Sequence, residues 1–299
     1  MATGKEINRR IKSIKNTAKI TKAMELISTV KMKKAQDLAL EKKSYIAGVL
    51  KVIMNLTDSL ADTAYFKNRE NHKKTLGIII TSNKGLCGGY NINVMKKVNE
   101  YVKSHDEEID FVTLGKRGAQ FIARTGNNIV ADFSGDFSDN INYHFSKSVS
   151  RFIKDKFIDG DYDKVVVFYN YYVNTIKQIP VARELLPLTD KGIENYFATI
   201  LGDENYDYTG DENLKYTIEP SVEELLDEVL PMLIDSMFYD ILIESKASEH
   251  SARMIAMKNA KDNANKYASR LLLEYNKARQ AAITKEVSEI VSGVESMKD

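Results

Sequence analysis

Ser221-Val222-Glu223-Glu224 opens a run that reaches about Val294, and no glycine occurs between Gly210 and Gly293. The Ser221 hydroxyl can accept from the first-turn backbone while Glu224 reaches back, the pattern of a capping box. From there the run is about 70 residues, or about 110 Å of α-helix at 1.5 Å per residue. A compact globule of 299 residues has a diameter of only about 50 Å. The predicted helix is longer than the protein that would have to bury it, so it projects, and a projecting helix needs a partner to cover it. Pro231 lies inside the run, where loss of an N–H and a ring clash predict a kink or restart. Further on, Met254, Met257, Lys261, Ala264, Ala268, Leu271, Tyr275, Ala278 and Ala282 follow 3-4 spacing. That seam is narrow and rich in small residues.

The other end of the chain supplies the simplest partner. From about Lys5 to Thr63 only Gly48 interrupts helix-compatible sequence, and Ile7, Ile11, Ile14, Ala18 and Thr21 keep 4-3-4-3 spacing. The apolar pattern then suggests a shift to Ile20, Met24 and Ile27, as a stutter would produce. Between these helices, residues 74–188 alternate short apolar runs with amphipathic segments. Strands are expected at Leu76–Thr81, Ile109–Leu114, Ile129–Phe133, Lys164–Tyr169 and Ile176–Leu186, and helices at Asn91–Lys103, Lys116–Arg124 and Asn140–Phe157. Such alternation builds a mostly parallel sheet covered by helices. The expected architecture is α/β with long helices. An antiparallel coiled coil of the N- and C-terminal helices (1–63 and 220–299) carries an inserted Rossmann-like α/β domain (74–219). Residues 190–219, rich in Asp, Asn, Gly and Tyr, read as an acidic loop.

The formal charge is +1, from 43 basic and 42 acidic residues, which gives no bulk attraction to nucleic acid or membrane. The balance hides segregation. Residues 5–34 carry ten Lys/Arg against Glu6 and Glu25, whereas residues 190–228 carry twelve acids against Lys191 and Lys215. Different partners at different levels of the molecule follow from that asymmetry. The basic run lacks interleaved aromatics and lies on a coiled-coil helix, so an acidic protein fits it better than nucleic acid. Cys87 is the only cysteine, which excludes a disulfide framework and suits a reducing compartment. No apolar run approaches the roughly 20 residues that span a bilayer. The basic N-terminus continues into fold-defining helix, so a removable presequence is not expected.

Candidate chemistry is thin. Gly85-Leu86-Cys87-Gly88-Gly89-Tyr90-Asn91 links the first strand to its helix, where phosphate loops sit. Its glycines run G-x-x-G-G, not G-x-G-x-x-G, no Walker motif occurs, and Leu114-Gly115-Lys116 offers no acid for a ribose. A tight turn made by Gly85, Cys87, Gly88 and Gly89 is the better reading. Cys87 has no histidine nearby as a base, the histidines lack metal-ligand spacing, and Glu249-His250 reads as a solvated or packed surface pair. No catalytic, cofactor or metal site is expected. A nucleotide-dependent enzyme and a plain coiled-coil scaffold are the alternative classes; the first lacks its phosphate loop, and the second has no need of an asymmetric basic face.

Three stretches carry a resemblance: Ile20-Thr21-Lys22-Ala23-Met24-Glu25, the glycine loop at 85–91, and Ala247-Ser248-Glu249-His250-Ser251-Ala252-Arg253-Met254-Ile255-Ala256-Met257-Lys258-Asn259-Ala260. So do Tyr275-Asn276-Lys277-Ala278-Arg279-Gln280-Ala281-Ala282-Ile283-Thr284 and Glu289-Ile290-Val291-Ser292-Gly293. The chain resembles the gamma subunit of F-type ATP synthase, of the bacterial type. It lacks the extra cysteine pair of the chloroplast form.

That resemblance implies a non-catalytic rotor in ATP synthesis and proton-motive-force-driven ion transport. Its coiled coil would run up the axis of the alpha–beta hexamer, and the globular module, with the epsilon subunit, would sit on the membrane c-ring. The chain would then be peripheral, at the cytoplasmic face of the plasma membrane, and would influence ATPase regulation and proton flow. Met24 would face an acidic beta-subunit lever. Arg253, Arg279, Gln280 and Thr284 would meet catch loops or support the helix pair, and Glu289 would be coupled to them. Ile283, Val287, Ile290, Val291 and Val294 would form the bearing tip.

Overall fold

Leu76, Ile78, Ile79 and Ile80 are all fully buried, as a central strand covered on both faces requires. In the computed structural model, which describes residues 4–54, 63–66, 74–139, 141–201, 218–295 and 297, these residues belong to β1 (Lys74–Ile80). The other strands are β2 (Glu108–Leu114), β3 (Ile129–Asp132), β4 (Lys164–Tyr172) and β5 (Gln178–Leu186). They lie in the order β3-β2-β1-β4-β5. β1 pairs in parallel with β2 and β4, β2 with β3, and only the β4–β5 hairpin is antiparallel. The expected mostly parallel sheet is therefore present, and among the described residues its one reversal lies where sequence neighbours can join directly.

The helices are α1 (Gly4–Met54), α2 (Tyr90–Ser104), α3 (Lys116–Thr125), α4 (Tyr143–Ile158), α5 (Asp190–Leu201) and α6 (Val222–Glu295). Contacts divide the chain into two compact units, residues 29–252 and residues 1–28 with 253–299. In the larger unit the period-2 alternation of the strands sorts the core into two layers. Leu76, Ile78, Ile80, Val165 and Val167 pack with Ile46, Leu50 and Ile53 of α1, with α4, and with Leu226, Leu230, Leu233, Phe238 and Leu242 of α6. Ile79, Phe111, Val166 and Phe168 face Val94 and Val98 of α2 and Ile122 of α3.

Local signals set the helix ends. Ser221 Oγ accepts from Glu224 N at 3.2 Å, and Asn142 Oδ1 accepts from Phe145 N at 2.8 Å, which starts α4 at Tyr143. One expectation needs narrowing and one correcting. Of the two outcomes expected at Pro231 the restart does not occur, and α6 is continuous through it. Burial of Leu230, Leu233 and Ile234 around it outweighs a local penalty of about 3 kcal/mol, and Lys154 Nζ donates to the Pro231 carbonyl at 3.2 Å. The acidic loop begins with a helix, α5, whose Ile193 and Tyr196 are buried on one face and whose first turn is capped by Thr189 Oγ1. Residues 202–217 of that segment lie outside the described residues.

In the smaller unit, α1 and α6 pair antiparallel. Gly4 lies against Tyr275, and Lys261 Nζ donates to Glu25 Oε2 at 2.8 Å, so the numbers run in opposite directions. On α6, Met257, Ala268 and Leu271 are buried as the spacing predicted. On α1 the seam does not shift: Ile11, Ala18, Thr21 and Ser28 are the buried residues of this unit. Ile20 and Ile27 stand 62% and 54% exposed. Polar Thr21 fits because its hydroxyl donates to the Ala18 and Thr17 carbonyls of its own helix. Apolarity alone misplaced the seam. The expected end of the helix at Thr63 cannot be followed, because residues 55–62 lie outside the described residues.

Candidate functional site

At the crest of the sheet, where an α/β fold holds phosphates, the chain fills its own crevice. The first-turn N–H groups of α3 are taken by the β1–α2 loop: Lys116 N donates to Asn83 Oδ1 (2.9 Å), Arg117 N to Ser82 O (3.3 Å) and Gly118 N to Thr81 Oγ1 (2.7 Å). Gly115, at φ +108°, lets this happen; a Cβ there would sit 2.1 Å from Thr81 O. At the start of α2, Tyr90 N donates to Cys87 O and Asn93 N to Gly89 O. At the start of α3 the donors a phosphate would use are already committed to packing.

In the glycine loop Gly88 takes φ +58° and, unexpectedly, Leu86 takes +63°, with its side chain exposed. Cys87 is buried, 3.7 Å from Ser82 Oγ, and accepts from Asn91 Nδ2 at 3.3 Å. These contacts make it a packing residue of the turn. Asn83 Nδ2 donates to Phe137 O at 2.6 Å and ties the loop to the β3–α4 connection.

Glu249 and His250 are not a surface pair. Both are about 2% exposed, within a stretch of α6 from Ser245 to Ser251 that is buried at every position. Lys246 Nζ lies 3.1 Å from Glu249 Oε2, 3.8 Å from Asp139 Oδ1 and 4.0 Å from the centre of the Phe137 ring. His250 Nε2 lies 4.0 Å from Asp139 Oδ1. Lys31 of α1 donates to Asp139 Oδ2 at 2.6 Å. Partial burial pushes the Asp139 carboxyl up. The hydrogen bond from Lys31 and the charges of Lys246, His250 and Lys31 outweigh it and hold the group below the usual carboxylate range. Asp139, Glu249 and His250 bring ligand-type atoms within 4.8 Å of one another, a convergence that sequence spacing could not reveal. The Lys31 ammonium at Asp139 and the Lys246 ammonium at Glu249 both face these groups.

The residues singled out by resemblance lie elsewhere. Met24 is half-buried on α1 and Arg253 buried on α6, whereas Arg279, Gln280, Thr284 and Glu289 are exposed. Glu289 pairs with Lys285 at 3.6 Å. Ile283, Val287, Ile290 and Val291 are all more than half exposed. The Val294 side chain lies outside the described residues.

A mixed sheet whose crest at α3 is filled by its own β1–α2 loop, with long helices that leave aliphatic side chains in the open, defines a protein that works by contact with other chains. The ATP synthase family model matches residues 3–297. The ATP synthase gamma chain of Nitrosomonas eutropha is 38% identical over 98% of this chain and 99% of its own length, and that of Opitutus terrae 40% identical over 98% of each. A chain of the Euglena gracilis mitochondrial ATP synthase (OSCP/F1/c-ring) matches with TM-score 0.63 at 17% identity, covering 98% of this chain and 95% of its own. One from the Tetrahymena thermophila central stalk/c-ring matches with TM-score 0.58 at 23%, covering 81% and 99%. The chain belongs to the family of ATP synthase gamma chains. Among the described residues no helix is long and apolar enough to cross a membrane.

Proposed function

We propose that this chain is the turning shaft of the enzyme, coupling rotation of the membrane c-ring to ATP synthesis or hydrolysis in the alpha–beta hexamer. The observation that carries this reading is the second half of α6, where every residue from Arg279 to Gly293 is exposed although four of them are large aliphatics. Free aliphatics at that density call for a surrounding sleeve. Ile283, Val287, Ile290, Val291 and Val294 then form the tip in an apolar bearing. Arg279, Gln280, Thr284 and Glu289 meet loops of the hexamer below it, with Arg253 supporting the helix pair. Met24 faces an acidic beta-subunit lever, drawn in by the basic collar of α1 over a Debye length of about 8 Å.

The functional division is 1–63 and 220–299 as shaft and 74–219 as foot. The foot sits on the c-ring beside the epsilon subunit, at the cytoplasmic face of a bacterial plasma membrane, where it also bears on ATPase regulation and proton flow. Cross-linking the shaft near Met24 to a beta subunit in the assembled enzyme tests the reading. Multi-site ATP turnover should stop and return when the link is reduced. Full-rate hydrolysis in the linked complex would make the chain a static scaffold.

A further inference from the structure

The stretch Ser245–Ser251 contradicts what stability alone would select. It is buried throughout, yet only Ala247 among its seven residues is apolar. Burying a lysine and a glutamate takes two charges out of water, and well-packed apolar side chains of similar volume would generally hold a helix as firmly. What apolar packing does not supply is direction. A greasy helix face tolerates small rotations and slides, whereas hydrogen bonds lose strength steeply with angle and distance.

The polar grips on this stretch come from three sides. From the first turn of α2, the Tyr90 hydroxyl bonds the Ser245 carbonyl at 3.1 Å and the Ser245 hydroxyl at 2.7 Å. From β4 and its hairpin, Ser248 Oγ donates to Asn170 O at 2.8 Å and Ser251 Oγ to Thr175 O at 2.5 Å. Asn170 Nδ2 in turn holds the Tyr90 carbonyl at 2.9 Å. From the β3–α4 loop, Phe137 and Asp139 face the Lys246 ammonium, and Asp139 also faces His250. Lower on α6, between Leu226 and Leu242, the large buried contacts to the sheet are mainly apolar, with Asp235 and its pair to Lys154 as the buried ionic exception.

We propose that Ser245, Lys246, Ser248, Glu249 and Ser251 are positioning residues that key α6 into the sheet module, fixing its rotation about its own axis so that torque applied to the module turns the helix without slip. The proposal rests on the shaft reading above and adds to it the place where load enters α6. The Lys246–Glu249 pair is the discriminating element, because a purely structural role predicts that stability and coupling change together.

The test uses the assembled enzyme in inverted membrane vesicles, measuring ions pumped per ATP hydrolysed alongside the thermal midpoint. In the double variant Lys246→Met/Glu249→Leu the midpoint should hold or rise while pumping per ATP falls about two- to threefold. Lys246→Arg should retain the wild-type ratio. If the double variant does not assemble, Ser248→Ala and Asp139→Asn decide: each leaves a buried partner unpaired and should lower the midpoint, and each should also lower the ratio measured well below that midpoint. An unchanged ratio in the assembled variants overturns the proposal. The shaft reading would survive that result, since it falls only if cross-linked wild-type enzyme keeps turning over.

Discussion

The two halves of α6 are one uninterrupted helix and obey different rules. From Leu233 to Ser251 only Ser236, Asp240 and Glu244 escape full burial, a single line at four-residue spacing. From Arg279 to Gly293 nothing is buried. The first half is held by its own chain: Phe238, Ile241 and Leu242 sit in the sheet core, and Asp235 accepts from Lys154 and Ser150. The second half keeps the helix only through local propensity and a narrow seam that ends by Ala278. Burial therefore tells which part of a helix is specified by the chain and which part waits for another molecule.

The sharpest way to break that contrast is a pair of truncations, read by thermal unfolding of the chain alone. Phe238→Ala should cost about 3–5 kcal/mol, and Ile290→Ala should stay within about 0.5 kcal/mol. Equal losses would mean that the exposed half is buried in the free protein. A single Lys154→Met should come next, at about 3 kcal/mol, because it strands the buried Asp235 charge; adding Asp235→Leu should return most of the loss. Gly115→Ala, which forces a side chain into Thr81 at a positive φ, should follow at about 1–3 kcal/mol and loosen α3 without touching the helix pair.

The smallest effects are in pH, and they run in opposite directions in the two units. Burial raises the Asp110 carboxyl, but hydrogen bonds from Asn128, Tyr162 and Lys74 outweigh it and leave it below the ordinary value of 3.8. Its contribution is complete above that value and is lost as pH falls through the depressed one. Asp110→Asn should flatten this acid limb. In the helix pair the Glu25 hydrogen bond holds the Lys261 ammonium above the ordinary 10.5. That contribution is complete below 10.5 and fades as pH rises through the raised value, so Lys261→Met should alter only the alkaline side of a stability–pH curve.

What could be read before the structure follows the same division. The strands, α2, α3 and the cap at Ser221 were legible because period-2 runs, amphipathic repeats and capping residues are local signals. The α1 seam was read rightly as far as Thr21 and lost beyond it, because Ile20 and Ile27 look like core residues and Ser28 does not; partner geometry overrode side-chain polarity. α5 was hidden by Asp and Gly, although Thr189 and the Ile193–Tyr196 spacing were there to find. The Ser245–Ser251 girdle was missed for a similar reason. Its polarity argued for solvent, while the small residues Ser245, Ala247, Ser248 and Ser251 were the available sign that a backbone comes close.

The glycine-free run that opened the sequence has a consequence in time as well as in space. With no glycine from Asp211 to Ser292, and with Pro231 held in the packed part, α6 has no hinge residue along its exposed part, so its amides there should not exchange with solvent in blocks. Protection should instead decay smoothly, from global-unfolding rates around Phe238 to fraying rates beyond Arg279. Enclosing the exposed half in a partner should steepen the far end of that decay into a plateau. The exchange clock of a single helix would then report, residue by residue, how far up the rod the enclosing assembly reaches.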